Sequence, residues 1–293
     1  MSFTPSAQAG SNLKKRRRIE KIFELVCLGA AVIGVLLLVV LLFGVARDGI
    51  SRVSWDFINS FPSRRANNAG IKAALFGTLW IIGLTTLIAV PIGIASAVYL
   101  EELSKPNRFN RFIQLNIANL AGVPSIVYGL LGLALFVRAL ALERSVIAGA
   151  LTMSLLILPM VIIVTQEALR TVPRSLREGS QALGASQWQT VTRQVLPVAA
   201  PGIMTGIILS TSRAMGETAP LITIGALTYV AFVPSGPRDG FTALPIQIFN
   251  WASRPQADFH SVASAGIIVL LVVLLSLNAI AIVLRNRSNV RMM

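Results

Sequence analysis

The sequence predicts an all-α polytopic membrane protein with six transmembrane helices, and three observations carry that prediction. Mean hydropathy is +0.72, with 54% hydrophobic and only 13% charged residues, where a soluble domain carries about 25% charged residues. Five windows hold no Asp, Glu, Lys or Arg: 25–46, 73–100, 112–137, 145–166 and 261–284. Each exceeds the roughly 20 residues a helix needs to cross a bilayer, and each is too long for barrel strands of about 10. A further apolar block, 194–237, is interrupted only by Arg213 and Glu217. The third observation is where the cations fall. With the KKRRR run at 14–18 placed inside and the crossings alternating, sixteen Lys and Arg lie inside and nine outside. The formal charge of +14 therefore reads as membrane orientation, not as a nucleic-acid surface.

Taken in order, residues 1–21 are a polar, basic cytoplasmic tail expected to be disordered. Residues 22–70 hold the first span and an outside segment whose Trp55, Asn67, Asn68 and Gly70 read as loop. The first apolar run, 22 residues long, is too long for a signal-peptide core, so it reads as a retained anchor. The second span covers about 71–100 and ends in a short inside turn broken by Pro106. In the third span Gly122, Pro124, Gly129 and Gly132 predict a bent helix with close neighbours. The fourth ends near Gln166. One span, about 201–224, is assigned to the 194–237 block, because two would put the basic tail at 285–291 outside. The PSGPRDG cluster at 234–240 then begins an outside loop. That loop carries TALPIQIFNWASRP (242–255), expected as a short interfacial helix anchored by Trp251. The last span runs to about 284, and 288–293 form a cytoplasmic tail.

One cysteine and one histidine close off several chemistries: no intrachain disulfide forms, and no His/Cys metal cluster can be built. No GxxxxGK[ST] phosphate-binding loop occurs either, so the chain reads as no ATPase.

Against this background EGSQALGASQWQTVTRQVLP (178–197) stands out as polar. Ser175-x-x-Glu178 and Ser186-x-x-Gln189 both fit the reciprocal capping box, and Gly184 between them suits a left-handed helix end. The expected form is a helix near 176–183, a glycine turn and a second helix near 187–195 stopped before Pro197. Leu176, Ala182, Leu183, Trp188 and Val191 would give it an apolar end for a soluble partner. On punctuation alone, a plain connector between spans is an equal reading.

Span five carries the second candidate. Gly202, Gly206, Ser210 and Ala214 form a small-residue stripe that admits a close neighbour. Arg213 and Glu217 lie four apart near mid-span. Each charge there costs about 2.5–3.5 kcal/mol on insertion scales, so the pair is expected to face the bundle interior or water. It is either an intrahelical lock or an anion contact, since a guanidinium meets phosphate through bidentate hydrogen bonds.

The spacing Glu178-Gly179-Ser180, three residues, Gly184, nine residues, Gln194-Val195-Leu196-Pro197 resembles the EAA loop of binding-protein-dependent ABC importer permeases. Gly179, Ser180 and Gln194 depart from the two alanines and the isoleucine of that pattern. EALRTVPRSLREGSQALGAS (167–186), LPVAAPGI (196–203) and RAMGETAPL (213–221) further resemble the phosphate-importer permeases of the PstA type, over about 71–287. The resemblance implies a type I ABC importer permease fold, with a permease domain at 71–287 and a cytoplasmic coupling loop at about 167–200. In that loop Glu178, Gly179, Ser180, Gly184, Ala185, Leu196 and Pro197 would engage the ATPase, while Arg213 and Glu217 would line the phosphate pathway. It implies a PstC-like second permease, a PstB-like ATPase dimer that uses the ATP and a PstS-like outer binding protein, with no cofactor held by this chain. A permease for sulfate, molybdate or phosphonate is the alternative.

Overall fold

The computed structural model describes residues 7–105, 107–226 and 229–290, and no strand occurs among them. Five helical segments are long and apolar enough to cross a membrane: 19–52, 72–103, 146–170, 187–216 and 257–283. A sixth crossing is available only if a helix pair bent by 103° counts as one.

Helix α1 (Ala7–Gly49) begins well before the first apolar run. The basic segment continues the span as helix from Ala7, where a disordered tail was expected; residues 1–6 lie outside the described residues. Short α2 (Trp55–Asn59) is capped by Ser54, whose hydroxyl accepts from the Phe57 amide. It leads to α3 (Lys72–Val98), which continues through a π-helical turn to Leu103.

The third apolar window is split. Helix α4 (Arg108–Ala121) meets α5 (Ser125–Gly132, continuing through a π-turn to Ala139) at that 103° corner. Pro124 explains it: its ring cannot sit over the Leu120 carbonyl, and it has no amide to donate. The Leu120 carbonyl accepts instead from the Val123 amide at 3.0 Å and the Tyr128 hydroxyl at 2.8 Å. The pair nonetheless returns the chain across the bundle, because 72–98 and the next span, 146–170, run parallel, with Thr85 beside Ala150 and Glu101 beside Arg170.

Helix α6 (Val146–Arg170) is the most buried crossing and the centre of the bundle. Helix α3 packs along it, with Thr85 Oγ1 donating to the Ala150 carbonyl at 3.3 Å. Without a hydrophobic driving force inside lipid, such close contacts carry the association. The stripe Gly202, Gly206, Ser210 and Ala214 of α9 (Leu196–Gly216) faces α6, where a side chain at 206 would strike Val164. Helix α12 (Ala257–Val290) completes the crossings.

The segment after span five departs most from expectation. Helix α9 stops at Gly216, and a separate α10 (Ala219–Ile224) follows. Pro220, four residues on, would clash with the Gly216 carbonyl in a continuous helix. The loop at 234–243 then enters the end of the bundle at which α6 begins. Val146 and Ile147 amides donate to the Asp239 and Pro237 carbonyls at 3.0 and 2.8 Å, which satisfies the first turn of α6. Helix α11 (Leu244–Ala252) is buried, not interfacial. Trp251 is 0% exposed, tilted against Phe57 with ring centroids 5.9 Å apart, and enclosed by Ile71, Phe259 and Val262. The Leu244 amide donates to Thr78 Oγ1 at 2.8 Å. Gly77 is required beneath it, since any Cβ there would collide with the Thr242 carbonyl.

Candidate functional site

At the opposite end of the bundle α7 (Arg174–Ala182) and α8 (Gln187–Thr190) form the expected hairpin. Its turn is a Schellman cap: the Ala185 amide donates to the Ser180 carbonyl at 3.2 Å and the Gly184 amide to that of Gln181 at 2.9 Å. Gly184 sits at φ +85°, the left-handed region glycine enters without penalty. The Ser186–Gln189 capping box is formed in both directions. The Ser175–Glu178 box is not, because α7 starts two residues earlier than that box requires, behind Pro173, which offers no side-chain cap.

Pro197 does not end the second helix. A π-turn at Val191–Val195 carries α8 straight into α9, so 187–216 is one continuous rod. Proline is tolerated there because it follows the π-turn, where the ladder shifts register and the Leu196 amide donates to the Val191 carbonyl five residues back.

The predicted residues divide by position. Glu178 and Gly179 are exposed on α7. The Ser180 and Thr190 hydroxyls lie 3.0 Å apart and tie the two helices together. Leu196 packs partly buried against the cluster of Val98, Leu169 and Val195. Leu183 at the tip is 91% exposed and Trp188 60%. Val191, expected at the sticky end, is instead buried in the body. A groove of about 430 Å³ runs between the helices past Leu176, Gly179, Leu183 and Ala185.

Sequence reasoning missed what anchors the hairpin. Arg177 clasps Glu102 with both sides of its guanidinium, Nε to Oε2 being 3.0 Å. It also donates to the Val172 and Leu169 carbonyls at 2.7 and 2.9 Å. The bonds to Glu102 hold the Arg177 guanidinium above its ordinary pKa, so it stays charged. Arg170 makes a second bidentate pair with Glu101, at 2.9 and 3.0 Å, and reaches Glu167 at 2.8 Å. The Gln187 side-chain amide donates to the Glu102 carbonyl. The signal was present as an acidic pair closing span two opposite arginines at 170 and 177, but sequence distance gave no reason to join them.

Arg213 and Glu217 do pair, Nε to Oε1 at 3.5 Å. The pair stands in the last turn of α9 and at its break, not at mid-helix: Glu217 has left helical geometry, with ψ 124°. The Arg213 side chain is 60% exposed and that of Glu217 19%. From Leu196 to Arg213 the rod rises roughly 25 Å. The structure therefore brings the hairpin and the ion pair onto one rigid element, at opposite ends.

The family of binding-protein-dependent transport system inner membrane components matches residues 89–292. The chain is 36% identical over 228 residues to a probable ABC transporter permease protein YqgI of Bacillus subtilis, covering 75% of each. It is 39% identical to the phosphate transport system permease protein PstA 1 of Mycobacterium tuberculosis, covering 74% of this chain and 70% of that one. With PstA of Haemophilus influenzae identity is 33%, over 85% and 87%. Among solved structures, a bacterial alginate ABC transporter chain superposes with TM-score 0.62 at 17% identity, over 91% of this chain and 94% of that one. A MetNI methionine ABC transporter chain gives 0.55 at 17%, over 75% and 94%. At such identity these show the fold, that of type I ABC importer permeases.

Proposed function

The chain belongs to the family of binding-protein-dependent transport system inner membrane components, and we propose that it is the permease subunit of an ATP-driven inorganic phosphate importer. It forms half of the translocation pathway and holds no ATPase site of its own. The observation that carries this reading is the rod at 187–216, with a partner-facing hairpin at one end and an exposed guanidinium at the other. Relatives named as PstA supply the anion class.

An arginine this exposed at the end of a span meets water or lipid headgroups, and pairing with Glu217, whose side chain is mostly buried, favours the watered interior of the assembly. Arg213 therefore faces a water-filled path shared with a second, PstC-like permease. There the guanidinium takes two phosphate oxygens, and Glu217 accepts from the protonated one. Sulfate has no such proton near neutral pH and leaves Glu217 repelling it. The hairpin lies on the cytoplasmic side with both termini. Leu183 and Trp188 seat in a PstB-like ATPase of the dimer that uses the ATP, and a PstS-like protein delivers phosphate outside. Displacing the hairpin moves the rod as a unit. The Arg177–Glu102 and Arg170–Glu101 clasps pass the same displacement to α3, whose outer end holds α11 through Thr78.

The test is ATP-dependent phosphate uptake in vesicles holding the assembled transporter. Arg213→Leu abolishes uptake while co-purification with the ATPase persists; uptake at the normal rate would remove Arg213 from the pathway. Sulfate, molybdate or phosphonate competing as well as unlabelled phosphate would favour a permease for another oxyanion.

A further inference from the structure

Between the end of α3, the first turns of α4 and the end of α6 lies an open crevice of about 730 Å³, on the same side of the bundle as the hairpin. Arg108, Arg111 and Arg170 line it, with Asn107, Ser104 and Gln114. Glu101 also lines it, but its carboxylate is taken by Arg170. Among the described residues neither Arg108 nor Arg111 has a carboxylate within ion-pair distance. Two uncompensated cations thus face one polar pocket.

The helix that carries them also carries a complementary apolar surface. Residues Asn110, Ile113, Gln114 and Ile117 of α4 turn towards α3 and α6, where Ile113 and Ile117 pack on Ala97, Leu100 and Ile162. The opposite face leaves Phe109, Phe112 and Leu115 exposed. At 100° per residue these three span about 120°, with Arg108 inside that stripe and Arg111 about 40° beyond its edge. A helix with Lys or Arg on its polar face and Phe or Leu on the other lies at the acyl–headgroup boundary, and basic pockets between spans on the cytoplasmic side take anionic headgroups. A free anion would account for the arginines but not for the neighbouring aromatic stripe.

We propose that this crevice is a binding site for an anionic phospholipid, its phosphodiester held by Arg108 and Arg111 and its acyl chains lying on Phe109, Phe112 and Leu115. The lipid would brace the corner where Arg170 and Glu101 anchor the coupling hairpin. The placement rests on the cytoplasmic side assigned above, but the chemistry of the site is independent of transport.

Native mass spectrometry of the delipidated full chain, titrated with phosphatidylglycerol, tests this. Wild type retains one phosphatidylglycerol that Arg108→Gln/Arg111→Gln binds roughly 20-fold more weakly. Phosphatidylcholine is not retained, and Arg16→Gln/Arg17→Gln on the amino-terminal basic run leaves retention unchanged. Equal retention by wild type and the Arg108/Arg111 variant would overturn the proposal. So would retention lost only in the Arg16/Arg17 variant, or displacement of the lipid by millimolar inorganic phosphate, which would make the crevice a free-anion site. No step requires uptake, so failure here leaves the transport reading standing, and failure of uptake leaves this one.

Discussion

The hairpin at 174–190 and the re-entrant segment at 234–252 are both connections between crossings, and they solve the backbone problem in opposite ways. The hairpin projects outward and satisfies its helix ends locally, through a Schellman turn and a capping box. The re-entrant segment is buried and borrows partners from the spans: Thr78, the α6 amides, and Trp80, whose indole donates to the Pro234 carbonyl at 3.0 Å. It still leaves Thr242 Oγ1, Gln247 Oε1 and Trp251 Nε1 buried without a protein partner. Each such group costs about 1–3 kcal/mol. The hairpin thus closes its own turn and reaches the bundle through the Arg177 and Gln187 side chains, whereas the re-entrant segment is held by packing along its whole length.

The largest expected effect breaks the outer half of this contrast. Trp251→Ala removes the fully buried indole that α2, α3 and α12 enclose. A loss of about 3–5 kcal/mol follows from the cavity and the lost contacts. Thermal unfolding of the chain in nanodiscs checks it: Tm falls by several degrees, whereas Trp188→Ala, at an exposed site, leaves Tm in place. Equal shifts for the two tryptophans would mean that α11 lies at the interface after all.

A smaller effect sharpens the inner half. Arg177 and Glu102 are the less exposed of the two clasps, at 22% and 8% of their side chains. A double-mutant cycle on Arg177→Gln and Glu102→Gln should return a coupling of about 1–3 kcal/mol. A structural role alone predicts only that loss. Transmission to α3 predicts in addition that either single variant hydrolyses ATP in the assembled transporter with reduced phosphate uptake per ATP, and that the reversed pair Arg177→Glu/Glu102→Arg recovers it.

The same contrast decides what was legible beforehand. Capping chemistry is local, so Ser186, Gln189 and Gly184 announce the hairpin from sequence spacing. Burial is not local. NWASRP around Trp251 has the composition of an interfacial helix, and only the close approach allowed by Gly77 reveals that it enters the bundle. Helix breaks fall between these cases. Pro124 and Pro220 were visible, but a proline in an apolar run fits a kinked span as well as a corner. At the corner the Leu120 carbonyl is satisfied by the Val123 amide and the Tyr128 hydroxyl together, partners that sequence spacing does not announce. Pairing of Arg213 with Glu217 survives the break because a four-residue separation keeps the two within reach even when the last residue turns out of the helix.

The smallest effect concerns the loop that leads into the buried segment. Asp239 Oδ2 accepts from the Ser235 amide at 2.7 Å, the Ser235 hydroxyl at 2.8 Å and the Gly236 amide at 2.9 Å. The Ser235 and Gly236 bonds hold its carboxyl below the ordinary carboxylate range, although the group is open to solvent. Because the folded pKa is the lower one, the loop's stabilisation is fully present above the ordinary Asp value near 3.9 and is lost as pH falls through the folded value. The Asp239 and Pro237 carbonyls accept from Val146 and Ile147, so these two amides report on the loop. Their exchange protection factors should hold from pH 7 down to about 4 and fall below that in wild type. In Asp239→Asn protection should start lower and stay level across the range. If both proteins lose protection in parallel on acidification, the carboxylate is not what closes the outer end of α6.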